Sequence, residues 1–434
     1  MTPTFLENFN TSPHVFAGIR IAALLVAFVF AFAILATPVA QAQTFNAVYR
    51  FPGPPAGGQP SSALAVDRAG DLYGLMGWRN GAGTVYRLSR KGSGWLLAPL
   101  YDFPGGNDGW DFAYAVTPGP DGRVYGTTRQ GGQGTCGHQG EFQGCGTIFV
   151  LSPPTPCKTV LCPWTKTTLY SFRGEEDGGI PSSELIFDDA GNLYGTAYYG
   201  GYKRQGACWA GCGTVYKLSP TGSGWTFESL YAFVGSPDGA GPDGHLTFDT
   251  AGNLYGTTVE GGVVGTVFEL TLSRSGWTEK VLYRFKGECC GDGANPSGGV
   301  VFDRFGNLYG TTQTGGGYGS GDGTVYQLTP ADGGWTETQL HVFQGASAYP
   351  YGVTVNAAGD VDGAINGFGA YGYGYVFQLT PAGTSWTFSS LHDFTGQDDG
   401  QWPIRPVLLD RNGNLWSASF YGRSGYGVIW EITP

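Results

Sequence analysis

Five aspartates, Asp108, Asp177, Asp238, Asp292 and Asp399, stand at one matched place in a repeating sequence. Each follows a Phe-x-Gly step, and an Asp-Gly or Gly-Asp-Gly step brings the chain toward its next strand. With Glu175, Glu176 and Asp398 nearby, such loops could offer oxygen ligands to Ca²⁺. The same residues also build an Asx-type turn, in which Asp accepts backbone N–H groups and Gly takes positive φ. The signal tracks the repeat, which favours the turn. A second group lies where first strands would meet a central channel. Glu184, His245 and Pro406 share one register, and Tyr114, Tyr351 and Arg405 share the preceding one. Glu184, His245 and Arg405 are the acid–base candidates for the case that the protein is an enzyme. A third group is aromatic and falls between second and third strands: Trp78, Tyr198, Tyr199, Tyr202, Trp209, Tyr318, Phe368, Tyr371, Tyr373, Phe420 and Tyr421. Exposed rings beside acids and amides suit stacking on sugars or on a protein partner. The same rings could equally be ordinary β-packing residues. No Gly-x-Ser-x-Gly or His-Glu-x-x-His signature is present. His341 and His392 replace a strand Tyr and read as structural, and His138 sits in a Cys-rich loop.

Cysteines are spaced locally: Cys136 and Cys145, Cys157 and Cys162, Cys208 and Cys212, and the adjacent Cys289 and Cys290. Four local disulfides are the expected use, with the pairing of the last two left open. A zinc site is the weaker reading, because no paired Cys-x-x-Cys spacing or suitably placed His accompanies them.

Residues 1–42 read as an export signal. Arg20 precedes an uncharged run from Ile21 to Leu35, and Ala40-Gln41-Ala42 is a small-x-small cleavage site. Cleavage is expected over retention as an anchor, since the run is shorter than the ~20 residues of a membrane span. Residues 43–434 would then form a secreted, extracellular or periplasmic protein, monomeric and without membrane contact. A net charge of −11, with no Lys/Arg cluster in the sequence, argues against nucleic acid or an anionic membrane as partner, because phosphates need a basic surface. Gly numbers 76 and aromatics make up 15%, a composition of many short strands and tight turns rather than disorder.

Those strands are organised by three recurring phrases. Gly191-Asn192-Leu193-Tyr194-Gly195-Thr196-Ala197 has counterparts starting at Gly70, Gly122, Gly252, Gly306, Gly359 and Gly413. Gly83-Thr84-Val85-Tyr86-Arg87-Leu88 has counterparts at Gly146, Gly213, Gly265, Gly323, Gly374 and Gly427. The third phrase, Trp followed by Leu-Tyr-x-Phe, ends at Phe103, Phe172, Phe233, Phe285, Phe343 and Phe394. Its missing seventh copy stands at the other end of the chain, in Asn46–Phe51. This pattern predicts an all-β, seven-bladed propeller with four antiparallel strands per blade. The blades span approximately 60–103, 112–172, 181–233, 242–285, 296–343, 350–394 and 403–434, with the N-terminal strand 44–51 completing blade 7. A solenoid would instead need capping ends.

The phrases Gly-Asn-Leu-Tyr-Gly-Thr-Thr and Gly-Thr-Val-Tyr-x-Leu-Thr-Pro resemble the Gloeobacter–Verrucomicrobium (GloVer-type) tandem repeat of exported bacterial proteins. The resemblance covers residues 44–434 and implies an extracellular repeat protein, with no catalytic residues to carry over. A C-terminal sorting anchor occurs in that family, and the end of this sequence shows no apolar segment that would serve as one. The expected function is non-catalytic binding of a glycan or extracellular protein on the face formed by the 2–3 and 4–1 loops, with no cofactor beyond a structural calcium. Alternatives are a polysaccharide lyase or glycoside hydrolase, and a structural role in the cell envelope.

Overall fold

The computed structural model describes residues 43–77, 82–112, 115–136, 142–154, 162, 164–202, 208–287, 290–317, 323–344, 348–404 and 406–434. The expected export signal therefore lies outside the described residues. No described helix is long and apolar enough to cross a membrane.

Seven small antiparallel sheets form a ring, a seven-bladed β-propeller. Blade 3 illustrates the unit. Its inner strand is two short pieces, Gly179–Pro181 and Ile186–Phe187, both paired with Leu193–Tyr199. That second strand pairs with Thr214–Thr221, which pairs with the outer strand Gly224–Ala232. Apolar and polar residues alternate along the third and outer strands, as half-buried strands require. The second strand is buried on both faces for five residues, because a neighbouring blade covers each side. The core accordingly lies between blades. Ile148 and Phe172 of blade 2 pack with Leu193 and Tyr216 of blade 3.

Two locks recur around the ring. The first closes the turn between inner and second strands. Asp188 accepts the N–H groups of Ala190 (3.0 Å) and Asn192 (2.8 Å), the Asn192 side-chain amide (2.6 Å) and the Tyr194 hydroxyl (3.0 Å). Asp249 and Asp303 repeat it with Tyr255 and Tyr309, and Asp410 uses the Trp416 indole. The second lock joins blades. The Gly that opens each third strand lies against a residue in the first part of the next blade's inner strand, in blade 3 the Pro181 that ends its first piece. A Cβ at Gly146, Gly213, Gly265, Gly323, Gly374 or Gly427 would overlap the ring of Pro181, Pro242, Pro296, Pro350, Pro403 or Pro60. In blade 2 the partner is Phe112, against Gly83.

Ring closure follows the pattern of the phrases. Thr44–Arg50 pairs antiparallel with Val428–Thr433, from Thr44 opposite Thr433 to Arg50 opposite Val428. Phe51 is buried among Leu72, Tyr86 and Ile429, so the first and last blades share one core.

Blade 6 departs from the turn lock. Asn356 stands at the Asp position and Asp362 at the Tyr position. Asp362 is 1% exposed and accepts one hydrogen bond from Gln378 Nε2 (2.9 Å). Burial, with a smaller push from Asp360, raises its pKa to about 7 against the Gln378 hydrogen bond. Glu279 and Glu337 are also raised to about 7, by burial and then by Asp238 and Asp292 respectively. A carboxyl raised in the folded state keeps its proton where the unfolded chain has released it. Stability from these groups is thus present below about pH 4 and lost as pH rises through 7. Thermal unfolding is expected at higher temperature at pH 5 than at pH 8. Asp362→Asn should stabilise the protein at pH 8 by a few kcal/mol and flatten this profile. Parallel melting curves for the variant and wild type across that range would refute it.

Candidate functional site

Antiparallel pairing brings the start of each inner strand and the end of each second strand to one mouth of the channel. Gly179 lies opposite Tyr199, Ala240 opposite Glu260, Trp110 opposite Gln130 and Gln401 opposite Tyr421. The 2–3 and 4–1 loops emerge there. Tyr351 of blade 6 reaches Asp243 of blade 4, donating its hydroxyl to Oδ2 at 3.1 Å.

The residue before each Pro, or before Phe112, has left-handed backbone. The set is Gln59, Asp111, Ile180, Gly241, Asn295, Tyr349 and Trp402, with φ between 37° and 61°. Hydrogen bonds across the blade interface hold it: Ile180 N–H to Cys145 O (2.8 Å), Asn295 N–H to Val264 O (2.8 Å), Trp402 N–H to Tyr373 O (2.8 Å). An L-residue there costs about 1–2 kcal/mol that Gly would not. Six of the seven seats nevertheless carry a side chain, and all seven residue types differ.

On one side of this mouth is a cavity of about 400 Å³ lined by Arg129, Tyr198, Tyr199, Asp243, Val259, Glu260, Asn295 and Gln313. Arg129, Tyr198, Val259 and Gln313 occupy the same position, the residue that follows the second-strand phrase, in four consecutive blades. Tyr198 donates its hydroxyl to Glu260 Oε1 (3.0 Å). Burial, then Glu260, raises the Tyr198 pKa, so the phenol stays protonated. Its ring fits over Gly241, the one mouth seat without a side chain; a Cβ there would meet the ring at 2.8 Å. Asn295 is fixed by its amide bond to Val259 O (2.9 Å) and by the Thr314 hydroxyl (3.2 Å). A smaller cavity of about 130 Å³ adjoins, shared by Tyr198, Tyr199 and Glu260 and extended by Trp209. The Cys208–Cys212 disulfide brackets Trp209, which is 50% exposed.

Of the aromatic residues expected to bind, Tyr198, Tyr199 and Trp209 meet here. Tyr202 lies elsewhere, in a surface groove with Arg173, Glu176 and Tyr231. Tyr371 is exposed on blade 6, and Tyr421 packs against Trp402 and Phe420. Trp78 and Tyr318 lie outside the described residues.

The acid–base trio does not assemble among the described residues. His245 Nε2 is 3.1 Å from Val300 O, a bond within the scaffold. Glu184 is half-buried and has no hydrogen bond or ion pair among the described residues, and Arg405 lies outside them.

Each of the five aspartates closes its own loop, in a different blade. Asp177 accepts the Tyr170 hydroxyl (2.8 Å) and the N–H of Arg173 (2.9 Å). Asp238 takes Tyr231 (2.7 Å), Asp292 takes Tyr283 (3.0 Å), and Asp399 meets His392 Nε2 (3.1 Å) and the Thr395 hydroxyl (2.6 Å). Asp108 takes Tyr101 (3.1 Å) and the Lys166 ammonium (3.0 Å). This is the Asx-type use. Among the described residues no three His, Cys, Asp or Glu side chains are grouped to hold a metal ion.

Cys136–Cys145 and Cys208–Cys212 are disulfides, and Cys162 is disulfide-bonded. Cys157 and Cys289 lie outside the described residues, and Cys290 is exposed.

Arg129, Asp243, Glu260, Asn295 and Gln313 were not singled out by the sequence reading. For Arg129 and Gln313 the available signal was chemical variety at the position that follows an otherwise regular phrase.

The sequence model of the Gloeobacter/Verrucomicrobia repeat matches residues 34–209 and 138–368. No curated protein sequence matches the chain. Among solved structures it is similar to a Bacteroides fragilis protein described as a 6-phosphogluconolactonase, at 15% identity over 83% of this chain and 88% of that one, TM-score 0.49. The PQQ-bound aldose sugar dehydrogenase of Streptomyces coelicolor gives 13% identity over 90% and 98%, TM-score 0.43. A gluconolactonase of Xanthomonas campestris gives 13% over 92% and 92%, TM-score 0.40. At such identities the reactions of these proteins do not transfer to this chain.

Proposed function

The chain belongs to the Gloeobacter/Verrucomicrobia repeat family, and from that premise we propose that it is an exported, non-catalytic binding protein whose ligand is a glycan held at the channel mouth. The observation that carries this reading is the cavity between blades 2 and 5. Four equivalent positions there hold Arg129, Tyr198, Val259 and Gln313, where the scaffold itself asks for no variety. Rings supply flat apolar faces, while Asp243, Glu260, Asn295 and Gln313 supply hydroxyl partners. A small set of oriented polar groups among apolar walls is the usual make-up of a small-molecule site. Local disulfides fit an oxidising, extracytoplasmic compartment. With His245 committed to Val300 and Glu184 apart from it, binding accounts for the mouth better than turnover does.

The test is a glycan array followed by titration of the purified protein. Trp209→Ala and Gln313→Ala are each expected to weaken the selected glycan at least tenfold, equivalent to about 1.4 kcal/mol. Tyr371→Ala, on another blade, should leave affinity unchanged. An array with no selective binding, or affinities indifferent to Trp209 and Gln313, would defeat the proposal.

A further inference from the structure

Resting on that reading, we infer that the mouth cavity selects a sugar bearing a carboxylate, a uronic acid, and that Arg129 receives the carboxylate. Arg129 Nε is shut off from solvent and has no hydrogen-bond acceptor. Its guanidinium makes no ion pair among the described residues. Arg129 lines the cavity and is only partly buried; its Nη groups are not shut off as Nε is, and they are the donors a ligand can reach. Acids are plentiful in this chain, and other arginines use them. Arg87, whose Nε likewise has no hydrogen-bond acceptor, still faces Asp71 at 3.7 Å, and Arg123 lies 3.6 Å from Asp121. The nearby Asp111 instead accepts the side-chain amide of Gln130 (3.3 Å).

The rest of the lining narrows the ligand. Asp243 and Glu260 each already take one tyrosine hydroxyl, from Tyr351 and Tyr198. A carboxylate accepts several hydrogen bonds, so Glu260 can take a ligand hydroxyl as well, and both acids repel a second anion. A neutral sugar would satisfy these acceptors and leave Arg129 alone. A simple anion such as phosphate would satisfy Arg129 and meet two like charges. An amino sugar would suit the acids and oppose the arginine. A polyhydroxylated acid satisfies both ends when its carboxylate faces Arg129 in a forked, bidentate pair and its hydroxyls face Asp243 and Glu260. Asn295 and Gln313 add amide donors and acceptors, and Tyr198 adds a ring. The cavity, about 400 Å³, falls in the range of about 300–1,000 Å³ typical of small-molecule sites.

The experiment titrates the protein with uronate oligomers, namely oligogalacturonate, oligomannuronate and a glucuronate-containing oligomer. Each is paired with its carboxyl-reduced, neutral counterpart of the same linkage. At least one acid form should bind tenfold or more tightly than its reduced form. Arg129→Gln should remove that preference, weakening the acid form by a factor at least tenfold larger than any change in the neutral form, with melting temperature read alongside to confirm folding. Equal binding of acid and reduced forms overturns the inference and leaves the glycan reading standing. A preference that survives in folded Arg129→Gln also overturns it, by placing the cation elsewhere. If neither form binds in any pair while neutral glycans on the array do, the inference fails alone. If no glycan of any kind binds, both fail.

Discussion

A chain lacking Thr44–Phe51 is expected to lose its cooperative thermal transition and to self-associate. Those residues form the outer strand of the last blade, and their removal bares the edge of Val428–Thr433. Unpaired strand edges recruit other strands. The segment also fills two interblade cores. Phe51 lies edge-on to Tyr86 (5.6 Å between ring centroids), and Phe45 stacks on His392 (3.7 Å). Burying a side chain of this size contributes about 1.5–3 kcal/mol. With Val48 and Tyr49 partly buried beside Phe51, the segment accounts for roughly 5–10 kcal/mol. Whole domains have about 5–15 kcal/mol of stability, so little would remain. Circular dichroism melts and size-exclusion chromatography give the answer. A truncated chain that melts like the parent would mean the ring does not depend on this closure.

The second large effect concerns a single methyl group. Gly213→Ala is expected to destabilise the protein by about 3–5 kcal/mol. The glycine sits at φ 92°, where an L-residue is strained, and the added carbon would press on Pro242 of the next blade. Strain of this kind costs on the order of 1–3 kcal/mol and overpacking about as much again. Gly191→Ala separates the two contributions. Its φ is 82°, yet open space surrounds the site, so only the backbone share should appear. Denaturant titration of both variants decides the matter. Equal losses would mean that the Gly–Pro contact between blades adds nothing.

These two expectations concern what the repeated phrases specify, and that part of the structure was legible from residues alone. Gly-Asn-Leu-Tyr-Gly-Thr and Gly-Thr-Val-Tyr fix turn, strand and blade contact together, because each letter has one physical task in all or most blades. The displaced Asn46–Phe51 copy was equally readable, since a strand that lacks a blade at one end and a blade that lacks a strand at the other have one solution. The candidate site was harder. Arg129, Val259 and Gln313 stand where the phrase decays, and a reading that searches for sameness passes over them. The aspartates read chiefly as turn residues, with calcium as the second use, but their partners were not foreseen. They are regular, and their partner is a strand Tyr or His seven or nine residues earlier, as in Tyr170 with Asp177 and Tyr283 with Asp292. Only the geometry shows that this hydroxyl completes the loop. The trio of Glu184, His245 and Arg405 rested on two adjacent registers, and register alone does not aim side chains: His245 bonds Val300 O instead.

The left-handed seats at the mouth have a consequence for how such a protein can change. Their backbone is fastened by amide bonds to the neighbouring blade and by the Pro or Phe that follows, and none of these attachments involves the seat's own side chain. Gln, Asp, Ile, Asn, Tyr and Trp all occupy the same conformation. Some seats are tied to assembly by their own chemistry: Ile180 is wholly buried between blades 2 and 3, and the Asn295 amide bonds Val259 O. At the exposed seats, Tyr349 and Trp402, identity is uncoupled from assembly, like exchangeable tiles set in a fixed frame. A lineage can rewrite what those blades display without renegotiating how the wheel holds together.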